Sequence, residues 1–588
     1  MPLDFRNTNT LWSSIIAETL KRLGLTTAII CPGSRSAPLT VAFAQHPEIE
    51  AIPILDERSA AFFALGVAKR SHVPAALVCT SGTAGANFYP AVIEASESQV
   101  PLLVLTADRP PELRDCHAGQ AIDQQKLYGS YPNWQAELAL PSQEIGMLRY
   151  LRQTIVQAVK RSLFSVPGAV HLNVPFREPL APTPQPDTLN SQLHQEDFFA
   201  GITLNPYPHS CTGDSASRPY SSLLSTWKQC ERGIIIAGVA QPQHRQEYCQ
   251  AITHLSQSLG WAVLAEGLSP VRNYANLNPY LISTYDLILG NPQLSQKLAP
   301  EMVIQLGALP TSKELRAWLN STQPQRWIID PSPENFDPLH GKTTHLHLSV
   351  EQLATTIPPL AKQESVSSDY LHQWRDAETQ LRQALDKTMA TTDTLFEGKA
   401  AWLLSQTLPP ATPLLIANSM PVRDVEFFWK PNNSGIQPFC NRGANGIEGS
   451  LSTALGIAHH HQSSVMLTGD LALLHDTNGF LQRNRFTGHL TIVLINNNGG
   501  GIFEMLPISQ FEPPFQEYFA TPQEIDFAQL CGTYGIEYKR ITNWQQLQAL
   551  LNPLPEKGIR VLEIPTNRRE DAKWRQENMA EFAANIAL

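Results

Sequence analysis

The chain returns repeatedly to one local pattern: a short apolar run, a loop of small residues, then a helical stretch. In the first block TTAIIC (26–31) leads into PGSRSAP, and AALVCT (75–80) leads into SGTAGAN. PLLVLTA (101–107) and GAVHLNVP (168–175) complete it. Strands separated by helices pair in parallel, because each crossover returns the chain to the same sheet edge. Ligands of parallel sheets sit beyond the carboxyl ends of the strands, so chemistry is expected in the small-residue loops.

A polar, proline-rich stretch, REPLAPTPQPDTLNSQLHQED (177–197), has the composition of a linker. A second block follows, with GIIIAGVA (233–240), WAVLAEG (261–267), LILG (287–290) and MVIQLG (302–307) as strands. A helical, polar segment (365–390) leads into a third, with PLLIANSM (413–420), SSVMLTGD (463–470), LTIVLINN (490–497) and GIRVLEIP (558–565). No internal sequence repeat is visible. The 588 residues therefore divide into three parallel-sheet α/β domains, expected at 1–190, 191–362 and 363–588.

Composition narrows the function. Charged residues are 16%, apolar residues 42%, and the net charge is −10. That balance suits a folded chain and argues against a nucleic-acid partner, which would need a basic face. It leaves small anionic ligands open. The eight cysteines form no CxxC pair, which removes zinc-ribbon and thioredoxin-like readings. The apolar runs fall far short of the ~18 residues of a membrane span, and no signal-peptide core precedes the first block. A soluble, cytoplasmic protein is expected.

The most informative segment runs from Gly469-Asp470, at the end of one apolar strand, to Asn496-Asn497-Asn498-Gly499, at the end of the next. Asp470 and Asn497 lie 27 positions apart, one strand–helix–strand crossover, which brings both strand ends to one sheet edge. A carboxylate and a carboxamide converge there as hard oxygen ligands suited to Mg²⁺, beside a helix start suited to a diphosphate. The pattern resembles the GD…NN motif of thiamine-diphosphate (ThDP) enzymes. Alone, it also fits a strand-end turn with an Asn-rich loop.

ThDP enzymes activate their cofactor through a carboxylic acid bonded to the aminopyrimidine ring. Such an acid needs dry surroundings, because burial raises a carboxyl pKa and keeps it proton-exchanging near neutrality. Glu57, in ILDERSAAFFALGVAKR (54–70), fits, although an isolated Glu there would also suit a helix start electrostatically. CPGSRSAP (31–38) and CTSGTAGAN (79–87) are loops where Gly82 and Gly85 let backbone approach a ligand. Neither Ser34 nor Ser81 lies in G-x-S-x-G, so a serine hydrolase is excluded.

Taken together, PGSRSAPLT, DERSAAFFALGVAK, TSGTAGANFYPAVIEA, LTADRPPELRDCHAGQAIDQ, NSMPVRD, NRGANGIEG, TGDLALLHD and NNNGGGIFEMLP are similar to one ThDP family. The chain resembles the 2-succinyl-5-enolpyruvyl-6-hydroxy-3-cyclohexene-1-carboxylate synthases, carboligases of menaquinone and phylloquinone biosynthesis, over nearly its whole length. The resemblance implies pyrimidine-binding, central and diphosphate-binding domains in that order. It implies decarboxylation of 2-oxoglutarate and 1,4-addition of the succinyl-carbanion equivalent to isochorismate. It also implies ThDP with Mg²⁺ or Mn²⁺, and a dimer or dimer of dimers with the cofactor between subunits.

Carried over position by position, the resemblance makes Glu57 the cofactor-activating acid. Asp470, Asn497 and the Gly499 carbonyl become metal ligands, and Ile447 the wedge that bends the cofactor. Thr80, Met420, Asn445, Gly446 and Leu471 join them around the cofactor. Ser34, Arg35, Arg109, Gln120, Lys313, Ser419, Arg423 and Arg442 match substrate-binding positions, with Arg35, Gln120 and Arg423 also implied in catalysis. Ile502 and Phe503 would pack against substrate.

The arginines have independent support, since a planar guanidinium suits the carboxylates of two dicarboxylate substrates. Singly, each could be a surface charge. Another ThDP-dependent 2-oxoacid decarboxylase, or an acetohydroxyacid-synthase-like carboligase, would explain Glu57 and GD…NN but not the arginines. Two positions depart from the family: Gly119 precedes Gln120 where Asn is common, and Glu314 stands beside Lys313 where a second basic residue is expected. The tract His459-His460-His461 is expected to be a solvated helix end.

Overall fold

The computed structural model describes residues 3–185, 195–203, 218–358 and 368–586. Residues 186–194 of the expected linker, and both expected domain boundaries, lie outside the described residues. Three six-stranded sheets, parallel throughout, carry the fold. The first contains β1 (Thr27–Ile30), β2 (Glu50–Pro53), β3 (Ala75–Cys79), β4 (Leu102–Asp108), β5 (Trp134–Glu137) and β6 (Ala169–Pro175), ordered β2-β1-β3-β4-β6-β5. The central sheet contains β7 (Gly233–Ala237), β8 (Ala262–Ala265), β9 (Leu281–Ile282), β10 (Met302–Leu306), β11 (Gln325–Ile329) and β12 (Lys342–Leu346), ordered β12-β11-β10-β7-β8-β9. The third contains β13 (Pro413–Ile416), β14 (Gln437–Phe439), β15 (Ser464–Gly469), β16 (His489–Asn496), β17 (Glu537–Arg540) and β18 (Gly558–Pro565), ordered β14-β13-β15-β16-β18-β17.

The first and third sheets thus share one strand order without a shared sequence pattern. In that order the chain reverses direction between β1 and β3, and between β13 and β15. Such reversal points open a crevice at the carboxyl ends of the strands, where α/β sheets bind ligands. The central sheet has the doubly wound order with its own reversal between β7 and β10. Interior strands such as β3, β4 and β6 are buried along their whole length, as parallel strands covered on both faces must be.

One expected strand is a helix. LILG (287–290) falls in the helix Tyr285–Leu289 and the residue after it. A four-residue apolar run carries no period that separates helix from strand. Here the Glu378 carboxylate accepts hydrogen bonds from the Ser283 and Thr284 amides, at 3.0 and 2.9 Å, which anchors the helix start. The polar segment is the helix Asp369–Thr391; Tyr370, Trp374, Ala377, Leu381 and Leu385 form its buried stripe.

The chain divides into two compact units. The first comprises the described residues up to 203 with Asn441–His461 and Leu473–Gly488; the second comprises the remaining described residues. In the first unit the helix Glu57–Ser71 packs on the helix Ser450–Ala458. A Cβ at Gly66 would lie 2.1 Å from the Thr453 carbonyl oxygen, and one at Gly456 would lie 2.1 Å from that of Phe63. His459, which ends the second helix, is buried rather than solvated: its Nε2 lies 3.1 Å from Glu50 Oε1. The T-shaped packing of Phe63 on its ring explains why this part of the tract turns inward.

Because backbone meets backbone at both glycines, Gly66→Ala is expected to destabilise the first unit by about 1–3 kcal/mol, the usual cost of overpacking. Differential scanning calorimetry should show a lower unfolding midpoint; an unchanged one would mean the helices can separate freely.

Candidate functional site

In the second unit, parallel pairing of β15 and β16 sets Gly469 opposite Ile495. Asp470 and Asn497 therefore leave the sheet at the same edge. Asp470 is buried; its Oδ1 accepts from the Leu471 amide at 2.8 Å and its Oδ2 from the Gly499 amide at 2.7 Å. Burial pushes its carboxyl up to about 6, against those hydrogen bonds. The Asn497 amide nitrogen donates to Glu397 Oε2 at 3.1 Å, while its Oδ1 is buried with no partner.

A buried carboxamide oxygen without a donor is unusual, and it matches what a cation would complete. Gly499 has φ +132°, and a Cβ there would lie 2.3 Å from the Ala520 carbonyl oxygen, so only glycine fits. One carboxylate, one carboxamide and one backbone carbonyl form a hard-oxygen set that suits Mg²⁺ or Mn²⁺ with a diphosphate completing the shell. The residues present therefore fit the implied metal.

Beside the reversal after β13, Ser419 has φ +73° and ψ −129°. A non-glycine residue held there stores strain, which concentrates at functional sites. The guanidinium of Arg423 donates to the Ser419 carbonyl at 2.6 Å, so these two candidates are joined. Met420 is buried between them in sequence, whereas Ile502 and Phe503 are half-buried on the short helix Gly501–Glu504. Phe503 meets Phe519 edge-to-face at 5.9 Å.

Sequence reasoning missed the buried polar group behind this edge. Arg575 Nη1 donates to Glu397 Oε1 at 2.7 Å, and Arg575 Nη2 donates to Asp424 Oδ1. Burial, with neighbouring carboxylates, pushes Asp571 up to about 8 and Asp424 up to about 7. Little in the sequence signals it: Arg575 lies in the charged helix Arg568–Ala584, and Glu397 opens the helix Glu397–Thr407.

In the first unit, Glu57 opens the helix Glu57–Ser71, capped by Asp56, whose side chain accepts from the Ser59 amide at 3.1 Å. Asn478 Nδ2 donates to Asp56 at 2.6 Å, and Arg58 donates to the His475 carbonyl at 2.7 Å. These contacts pin the turn that presents Glu57. Among the described residues, nothing hydrogen-bonds the Glu57 carboxylate. It is half-buried, so the dry surroundings expected for it are not completed within this chain. The loop bearing Asn445, Gly446 and Ile447 is held by buried Glu94, a residue the sequence did not flag. Its carboxylate accepts from the Gly443 and Ala444 amides at 3.1 and 2.8 Å. Arg442 precedes that loop and is half-buried.

The loops after β1, β3 and β4 bring a second set together. Arg35 is buried; its Nη1 donates to the Phe176 carbonyl at 2.9 Å and its Nε has no partner. Its amide donates to Thr80 Oγ1 at 3.2 Å. Burial, and then the charge of Arg109, lowers the Arg35 pKa from its ordinary value. Arg109 donates to Ser81 Oγ at 2.9 Å and to the Gly119 carbonyl at 2.7 Å. Gln120, at φ +60°, donates to the Ser81 carbonyl at 3.0 Å. Arg109 and Arg35 thus act on one another as like charges. Glu178 Oε1, on an exposed side chain 3.6 Å from Arg35 Nη1, offsets part of that charge, and the Arg35 Nε stays a buried donor open to an anion. Ser81 and Gly119, not picked as site residues, are what position Arg109. Ser34 is exposed next to Arg35.

Lys313 stands apart. It begins the helix Lys313–Thr322 in the central sheet's connections, is exposed, and forms no hydrogen bond or ion pair among the described residues.

Comparison with known proteins agrees with this layout. Residues 12–127 match the thiamine pyrophosphate enzyme N-terminal TPP binding domain. Residues 206–416 match the middle domain of thiamine pyrophosphate enzymes, and 427–564 the C-terminal TPP binding domain. The 2-succinyl-5-enolpyruvyl-6-hydroxy-3-cyclohexene-1-carboxylate synthase of Nostoc sp. is 65% identical over 590 residues, covering 100% of both chains. Those of Trichormus variabilis and Trichodesmium erythraeum are 64% and 62% identical, covering 100% and 99% of this chain and 100% of each relative. Matched end to end at this identity, with all three cofactor-enzyme domains in order, the chain belongs to the 2-succinyl-5-enolpyruvyl-6-hydroxy-3-cyclohexene-1-carboxylate synthase family of thiamine-diphosphate enzymes.

Proposed function

We propose that this chain decarboxylates 2-oxoglutarate and adds the succinyl-carbanion equivalent to isochorismate in a 1,4 sense, with ThDP and Mg²⁺ or Mn²⁺. The product is 2-succinyl-5-enolpyruvyl-6-hydroxy-3-cyclohexene-1-carboxylate, on the route to menaquinone or phylloquinone. The observation that carries this reading beyond ThDP chemistry in general is the Arg35–Arg109 pair, with its unpaired buried donor. A substrate with a single carboxylate would leave such a pair underused; dicarboxylates use it.

Bound ThDP supplies the electron sink on which a 2-oxoacid can lose CO₂. The residues do the rest. Asp470, Asn497 and the Gly499 carbonyl would hold the cation, and the Leu471 amide steadies Asp470. Glu57, as the cofactor-activating acid, would hold and release a proton at its carboxyl oxygen. Ile447, with Thr80, Met420, Asn445 and Gly446, shapes the cofactor seat. Arg35, Arg109, Arg423 and Arg442 bind substrate carboxylates. Ser34, Gln120 and Ser419 bind polar groups, and Ile502 and Phe503 exclude water. Lys313 reaches substrate only if the central domain contributes to the site.

We assign residues 1–190 to pyrimidine binding, 191–362 to the central domain and 363–588 to diphosphate and metal binding. The half-exposure of Glu57 supports a homodimer, or dimer of dimers, in which a second chain covers it. No described helix is long and apolar enough to cross a membrane, and we place the enzyme in the cytoplasm.

The decisive assay supplies 2-oxoglutarate, isochorismate, ThDP and Mg²⁺, and identifies the product by mass. CO₂ release from pyruvate instead would point to another 2-oxoacid carboligase. Glu57→Gln is expected to lose about 10²–10⁴-fold in turnover, the usual share of general acid–base catalysis; unchanged turnover would remove Glu57 from the mechanism. Because burial pushes the Asp470 carboxyl up to about 6, protons are expected to compete with the cation below that pH and not above it. Metal-dependent ThDP affinity, followed by calorimetry, should fall about tenfold per pH unit below about 6, and Asp470→Ala should abolish it. PH-independent affinity would contradict the ligand role.

A further inference from the structure

We propose that Glu397 is a positioning residue of the metal site: it decides which end of the Asn497 carboxamide faces the cation, and Arg575 of the C-terminal helix holds it to that task. The inference rests on the reading of Asp470, Asn497 and Gly499 as metal ligands.

A carboxamide has two ends of nearly equal shape and opposite chemistry. Only its oxygen can ligate a cation; its nitrogen can only donate. Something must therefore fix the flip of Asn497. A carboxylate does so without ambiguity, because an ionised carboxylate accepts and never donates. The structure places one there: Asn497 Nδ2 donates to Glu397 Oε2 at 3.1 Å, and Oδ1 is left buried and unpartnered. Gly501 walls the nitrogen side, since a Cβ there would lie 2.6 Å from Nδ2.

Glu397 is itself fixed. Its second oxygen accepts from Arg575 Nη1 at 2.7 Å, and Arg575 Nη2 donates to Asp424. The side chains of Glu397, Asp424 and Arg575 are each 2% exposed, so water cannot replace any partner. Asp424 adjoins Arg423, so one arginine on the helix Arg568–Ala584 ties the metal edge to a substrate-binding helix. Partners that orient metal ligands in this way typically alter metal affinity about 10–100-fold when changed.

Mn²⁺ binding in the presence of ThDP, read by electron paramagnetic resonance on the full-length chain, tests the idea. In Glu397→Gln the side-chain oxygen is claimed by Arg575, which can only donate. The new amide nitrogen then faces Asn497 and turns the nitrogen of Asn497 toward the cation. Mn²⁺ affinity is expected to fall about 10–100-fold with the fold retained by circular dichroism. Adding Asn497→Asp restores oxygen at both ends, and affinity should return to within a few-fold of the parent. A second carboxylate raises cation affinity by itself, so the gain is read against Asn497→Asp alone. A merely structural role predicts the same gain in both backgrounds, whereas the proposed role predicts a larger one beside Glu397→Gln. Parent-like affinity in Glu397→Gln, or failure of the rescue, overturns the proposal.

If Glu397→Gln does not fold, Glu397→Asp keeps the charge opposite Arg575 but shortens the reach to Asn497. It should weaken Mn²⁺ binding, and parent-like affinity in it overturns the proposal. Loss of folding in both overturns it too, because Glu397 would then hold the fold rather than the ligand. Asp470→Asn separates the two levels. If that variant keeps Mn²⁺ affinity, the ligand reading itself fails. If it loses affinity while Glu397→Gln does not, only the role of Glu397 fails.

Discussion

The candidate metal edge depends on the parallel register of β15 against β16. Pairing Gly469 with Ile495 delivers a carboxylate and a carboxamide to one edge with no further adjustment. Parallel pairing also obliges the chain to cross over between them. The 27-residue spacing is the length of that crossover, not a feature of metal binding as such. A slip of one residue would point both side chains to opposite faces of the sheet.

The same logic operates in the first sheet, which has the same strand order. Its reversal lies between β1 and β3, and the loops leaving those strands carry Ser34, Arg35, Thr80 and Ser81. The third sheet reverses between β13 and β15, whose loops carry Ser419, Met420 and Asp470. Two sheets of one topology thus offer two different crevices, one lined by Arg35 and hydroxyls, the other by the candidate ligand Asp470 with Ser419 and Met420. Topology supplies the place; the loop residues supply the chemistry.

The interior of each sheet was legible because parallel strands covered on both faces read as largely apolar runs, as LLVL in β4 and IVLI in β16 do. The edges were not. β5, β9, β12, β14 and β17 all went unread, and every one is an outermost strand of its sheet. Edge strands are short and half-solvated, so sequences such as WQAE or EYKR carry no apolar run. The interior strand β11 also escaped, because Arg326 interrupts QRWII. Only the fold shows that this arginine is buried and paired with Asp337. LILG failed in the opposite direction, its helix start anchored by Glu378 nearly a hundred residues later.

What the sequence offered by itself was the list of candidates: Glu57, Asp470, Asn497, Gly499 and the arginines, each beside a strand end and each of a residue type the proposed chemistry requires. Those properties are local, so they survive in a string of letters. What only the tertiary structure decided was the support behind them. Glu94 holds the loop before Asn445, Ser81 and the Gly119 carbonyl aim Arg109, and Glu397 with Arg575 sets the flip of Asn497. Asn497 and Glu397 are 100 positions apart, and Glu397 and Arg575 are 178 apart. A hydrogen bond at such separation depends on three-dimensional proximity alone, and no spacing rule along the chain encodes it.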